Sequence, residues 1–198
     1  MARLLPSIPP DMNRETHMER GTAFLKAQIN NAVMQHRTFV ENLTDHERQA
    51  EDERYRELCA RFLPKAAAHQ QMLEAYQAEL GTDTGAAKKI LGKALGMARD
   101  IADSARESDF LRLAGDIVTS RQSEDTFKTF REAGRMLGMP MLTKLGDLGE
   151  REHDAYAKEA NALVQQLFVE LVRSGDTSGL TIGGADLPSR VAASSPEA

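Results

Sequence analysis

Apolar residues recur every three or four positions along most of the chain, which is the repeat of one helix face. The plainest case is residues 139–173. Pro140 suits a first helical turn, and Met141, Leu145, Leu148, Ala155, Leu163, Leu167 and Leu171 follow at helical spacing, with Gly175 as a stop. Upstream, Met18, Leu25, Ile29, Ala32, His36, Phe39 and Leu43 predict a helix over residues 14–43. Thr44-Asp45-His46-Glu47 has capping-box spacing and predicts the start of a second helix. Its seam is Tyr55, Leu58, Phe62, Ala66, His69, Leu73, Tyr76 and Leu80. Pro64 is expected to kink that helix and free one carbonyl.

Residues 81–85 read as a turn. A third segment, 86–106, carries Ile90, Ala94, Met97 and Ile101, with Gly92 and Gly96 marking a face that another helix can approach closely. Ser108-Asp109 interrupts the pattern. Leu113, Ile117, Phe127, Phe130 and Leu137 then predict a helix over 110–137, closed by Gly138. The expected fold class is all-α: an antiparallel four-helix bundle with 86–106 as a crossover or annex helix. Residues 1–12, with Pro6, Pro9 and Pro10, form an extended lead, residues 13–173 the helical domain, and residues 174–198 a disordered tail.

Composition sharpens this picture in a few ways. The 198 residues are 41% hydrophobic, enough for one sizeable core, while aromatics are 5% and tryptophan is absent. A net charge of -5 argues against a nucleic-acid partner. No twenty-residue apolar run spans a membrane, and the N-terminus lacks a secretory apolar core. With a single cysteine, Cys59, no internal disulfide forms, and a cytoplasmic location is expected. Helical bundles commonly pair, so a homodimer is expected.

Candidate chemistry lies on the seams. Glu150 and His153 are three apart and share one side of their helix, half of a bundle-type metal site. His36 and His69 interrupt two apolar stripes, and Glu124 falls between the Ile117 and Phe127 turns. The candidate metal ligands are therefore Glu150, His153, Glu124, His69 and His36. Glu152 can ligate or orient a ligand, and Tyr156 can shuttle an electron; these two are the candidate catalytic residues. Satisfied polar groups in a packed core are the plain alternative. A second chemistry stays open: Tyr55, Tyr76 and Phe62 offer faces for a flavin ring, and Arg54, Arg56 or Arg61 could meet the phosphate of FMN or FAD.

The tail holds one apolar patch, Leu180, Ile182 and Leu187, on a Gly- and Ser-rich tether. Leu180-Thr181-Ile182-Gly183 resembles the C-terminal targeting peptide of encapsulin cargo proteins. It departs from the usual Leu-Thr-Ile/Val-Gly-Ser-Leu at Gly184 and Ala185, with Leu187 and Arg190 as stand-ins for the missing leucine and basic residue. The resemblance implies that residues 178–187 dock on the inner wall of an encapsulin shell protein, through Leu180, Thr181, Ile182, Gly183 and Leu187. The helical domain would then be cargo inside an encapsulin nanocompartment.

The helical part, about residues 54–163, resembles ferritin-like proteins of the YciF type in the pattern around 62–81, in the 130–138 helix end and in the acidic, histidine-bearing helix after it. That resemblance implies an iron site fed by all four helices and a role in iron handling or oxidative protection, such as ferrous iron oxidation. Only one Glu-x-x-His pair is present, because Ala66 stands three before His69. Encapsulin cargo also includes a small helical flavin-binding ferric reductase, and a non-catalytic helical cargo protein is the third reading.

Overall fold

The computed structural model describes residues 10–81, 108–175, 181–182 and 185–186. Among these, four helices pack together: α1 (Pro10–Gln49), α2 (Glu53–Glu79), α3 (Asp109–Leu137) and α4 (Pro140–Ser174). Thr181 and Ile182 pair antiparallel with Asp186 and Ala185 in a two-residue ladder. The expected annex helix over 86–106, and Leu180, Gly183 and Leu187, lie outside the described residues, as does the question of disorder in the rest of the tail. No described helix is long and apolar enough to cross a membrane.

Local chemistry sets the helix ends. The expected capping box at Thr44 is not used: α1 runs on to Gln49, and the Thr44 hydroxyl donates back to the Val40 carbonyl at 2.8 Å. A threonine hydroxyl spent on the i−4 carbonyl no longer caps anything. The true N-cap of α2 is Asp52, whose side chain accepts from the Tyr55 amide. Ser108 caps α3, Gly138 closes it at φ 65°, Pro140 opens α4 and Gly175 closes that helix at φ 63°. Helix α2 continues through Pro64. Ala60 and Pro64 are both exposed, so water can reach the carbonyl that the proline leaves without a donor.

Cross-helix contacts fix the directions. Arg37–Glu74 and Asn30–Gln77 run α1 against α2, and Arg121–Asp154 and Arg131–Glu150 run α3 against α4. Arg54–Glu170 and Arg61–Glu159 run α2 against α4, and Asn42–Asp116 with His36–Phe127 run α1 against α3. Each helix is therefore antiparallel to two neighbours, and α2 and α3 are parallel. The Asp52 amide donates to Asp109 Oδ2 at 2.6 Å, so the two parallel helices start at the same end. Gly81 and Ser108 consequently sit at opposite ends of the assembly.

The buried seam of α4 is Leu142, Leu145, Gly149, His153, Tyr156, Ala160, Leu163 and Leu167. Met141 and Ala155, expected on the stripe, are exposed, as are Leu137 of α3 and Met18 of α1. Glycines moved the seam by letting α3 approach closely. A Cβ on Gly146 would lie 2.5 Å from the Phe127 carbonyl oxygen, and one on Gly134 would lie 2.5 Å from the Thr143 amide nitrogen. The core divides into two apolar clusters. One is centred on Phe39, Leu58, Leu113 and Leu163, the other on Ile29, Leu73, Phe130 and Leu142. A layer of polar residues separates them.

Candidate functional site

That polar layer contains His36, His69 and His153, each no more than 2% exposed. They come from α1, α2 and α4, because each stands at a seam position of its helix and the three positions fall at one height. The His36 ring packs edge-on to His69 with ring centres 4.7 Å apart, and edge-on to His153 at 5.2 Å. Phe127 lies against all three rings, at 4.6–5.7 Å, and closes the layer from α3.

The hydrogen bonding is lopsided. His36 Nδ1 lies 3.0 Å from Gln70 Oε1, and His153 Nδ1 lies 3.1 Å from Ser120 Oγ. The Nε2 atoms of both rings are buried without a partner, and neither nitrogen of His69 makes a hydrogen bond. Glu152 Oε2 stands 3.8 Å from His69 Nδ1, an ion-pair distance, and is itself unpartnered. Buried polar atoms are rarely left so, and here they concentrate in one layer.

Burial sets the protonation states. Desolvation, then the charge of His69, lowers the His36 pKa to about 3, with the Gln70 bond opposing. Desolvation lowers His69 to about 4, with its contact to the Leu145 backbone opposing. His153 is pushed well below its ordinary value by burial, then by His36 and His69. All three imidazoles are neutral at pH 7, the form that ligates metals. Glu152 moves the other way: desolvation raises it to about 7 against the opposing charges of Lys65 and Arg151.

The other expected ligands are not in this layer. Glu150 is ion-paired with Arg131, and Glu124 with Arg121, which also donates to Asp154. The helical spacing of Glu150 and His153 is real, but the two side chains leave the helix toward different neighbours. Tyr156, expected beside the metal ligands, donates instead to Asp116 Oδ2 at 3.0 Å. The Phe39 ring stands between it and His153, with centres 5.1 and 4.6 Å away.

Sequence reasoning missed Asp116. Its buried carboxyl accepts from the Tyr55 hydroxyl at 2.7 Å as well as from Tyr156, lies 2.9 Å from His46 Nδ1, and takes a longer contact of 3.4 Å from Asn42. One side chain thereby ties all four helices. Burial, then the Asp116 charge, pushes both tyrosines up, so they stay protonated donors. The signal was the spacing Leu113, Asp116, Ser120, Ser123, Phe127, Phe130, a helical seam whose middle is polar.

The residues offered for flavin do not gather. Tyr55 and Phe62 belong to one apolar cluster and Tyr76 to the other. Arg54 is engaged by Asp52 and Glu170, Arg56 by the Ala50 and Glu51 carbonyls, and Arg61 by Glu159. Cys59 is buried, and desolvation raises its thiol, so it stays protonated.

Imidazoles sharing one ion with bonds of about 2 Å have ring centres roughly 5 Å apart, which is the spacing of His36 from its two partners. Among the described residues, however, no group of three or more His, Cys, Asp or Glu side chains is placed so that it could hold a metal ion as it stands. In comparisons with protein families, curated proteins and solved structures, none matches the chain.

Proposed function

We propose that this chain is a ferritin-like four-helix bundle that holds a transition-metal ion, iron in this reading, between His36, His69 and His153, with Glu152 beside them. The observation that carries this reading is the set of unpartnered, neutral imidazole nitrogens in one buried layer. The helix order supports it: two antiparallel pairs joined by one long connection between parallel helices is the ferritin-like arrangement. His69 brings two ring nitrogens without a hydrogen-bond partner to the layer, and completing the set would need its packed ring to move against Phe127 and Gly149. Nitrogen-rich ligation suits iron, zinc, copper or nickel, so availability of the metal decides among them. Bound iron would supply one-electron redox chemistry for iron handling or oxidative protection. The protein's part is to exclude water, to hold three ligands neutral, and to keep at Glu152 a carboxyl that exchanges a proton near pH 7.

We further propose that the tail docks this bundle inside an encapsulin shell through Leu180, Thr181, Ile182, Gly183 and Leu187. The anchor-on-tether sequence supports it, since many tethered copies in one shell raise retention.

Elemental analysis of tag-free protein loaded anaerobically with ferrous iron tests the metal reading. Stoichiometric iron that is lost in His69→Ala and His153→Ala, with helicity retained, is the expected result. A wild type that holds no metal overturns it, and a yellow protein with flavin absorbance moves the reading to a ferric reductase.

A further inference from the structure

We propose that Gln70 and Ser120 are positioning residues that lock His36 and His153 into the Nδ1–H tautomer, leaving both Nε2 lone pairs bare in the layer between the apolar clusters. Their use in holding a metal rests on the reading above; the tautomers themselves do not.

The argument for Gln70 is one of donors and acceptors. Its amide nitrogen donates to Glu74 Oε1 at 2.8 Å and to the Val33 carbonyl at 3.3 Å. Both partners only accept, so the amide cannot be turned around. Glu74 is in turn held by Arg37 at 2.6 Å. The oxygen of Gln70 therefore faces His36 Nδ1, and an amide oxygen can only accept. The hydrogen must sit on Nδ1.

Ser120 reaches the same result by another route. Its hydroxyl donates to the His153 carbonyl at 3.0 Å, which leaves a lone pair facing His153 Nδ1. The opposite tautomer would bury an Nε2–H with no acceptor in reach, and orphaned buried N–H groups are rare. Two rings on two helices thus present the same bare atom to the same layer. His69 has no such partner, and Glu152 Oε2 lies 3.8 Å from its Nδ1.

Long-range nitrogen–proton NMR of the apo protein near pH 7.5 tests this directly. Wild type should show both His36 and His153 as Nδ1–H. Gln70→Leu should shift His36 toward Nε2–H, and Gln70→Glu, which still accepts, should keep it. Ser120→Ala should release His153, and Ser120→Thr should hold it. Titration with cobalt(II) should show affinity about 10–100-fold weaker in Gln70→Leu and Ser120→Ala. Wild-type Nε2–H signals, or tautomers untouched by Gln70→Leu and Ser120→Ala, overturn the positioning role. If a leucine or alanine variant does not fold, the wild-type and Gln70→Glu spectra still decide. Correct tautomers in a wild type that binds no cobalt leave the positioning role standing and overturn the metal reading.

Discussion

Gly149 lies against the His69 ring: a Cβ at this position would sit 2.5 Å from His69 Cε1 and closer still to Phe127 Cγ. Gly149→Ala is expected to destabilise by about 1–3 kcal/mol, the usual cost of overpacking a filled core. Gly115→Ala is the control, since a Cβ there meets nothing within 4 Å. It should stabilise by about 0.5–1 kcal/mol through helix propensity alone. Urea unfolding of both variants checks the pair, and equal shifts would contradict the packing described.

Stability should fall on mild acidification. The three histidines are neutral when folded but protonate near 6.5 when unfolded, so each loses stability as the pH drops below 6.5. Glu152, raised when folded, takes up a proton near 7 instead of 4.5 and works in the opposite sense over that window. Three protons against one leave a net of two, or about 3 kcal/mol per pH unit between about pH 6 and 5. Urea midpoints near pH 7.5 and 5.5 measure it. A flat profile would show that the rings are hydrated or already charged.

Asp116→Ala should cost far more than an ordinary surface change. It strands the buried Tyr156 hydroxyl, at about 1–3 kcal/mol, and leaves the Tyr55 hydroxyl only its contact with His46 Nδ1. Adding Tyr55→Phe and Tyr156→Phe in the same chain should recover part of the loss, because both buried hydroxyls are then gone and the part-buried His46 and Asn42 can turn to water. Thermal melts of the single and triple variants decide; no recovery would mean that Asp116 acts through packing alone.

Glu150→Gln and Glu124→Gln should leave cobalt(II) affinity unchanged, since their carboxylates face Arg131 and Arg121. Glu152→Gln should change its pH dependence near 7, because that carboxyl is the one beside His69. Loss of binding in Glu150→Gln would restore the Glu-x-x-His pair as a ligand set.

Truncation after Ser174 should leave the helical core intact, because among the described residues the buried core ends at Leu167. It should abolish recovery inside co-expressed encapsulin shells, as should Leu180→Asp with Ile182→Asp. Circular dichroism and shell purification check the two halves of this outcome, and equal packaging of full-length and truncated chains would remove the docking reading.

The one-dimensional pattern determined the helices themselves. Apolar spacing, Pro140 and the glycines at 138 and 175 act within a turn or two of chain, so they are legible without a partner. The same spacing placed His36 and His69 on buried seams, because a seam position is buried whatever residue fills it, whereas His153 was legible only as the partner of Glu150 at helical spacing. Only the tertiary structure decided what those seams meet. The antiparallel register brought three histidines to one height, sent Glu150 to Arg131 on α3, and left Glu152 beside His69, while Glu124 pairs with Arg121 one turn back on its own helix. It also gathered His46, Tyr55 and Tyr156 on Asp116, a residue that looks like ordinary helix-surface charge until four helices close around it. Helical periodicity fixes the side of a helix on which a residue lies, but the neighbour across that side depends on register and on close approach at Gly134, Gly146 and Gly149, which are properties of pairs of helices rather than of either sequence stretch.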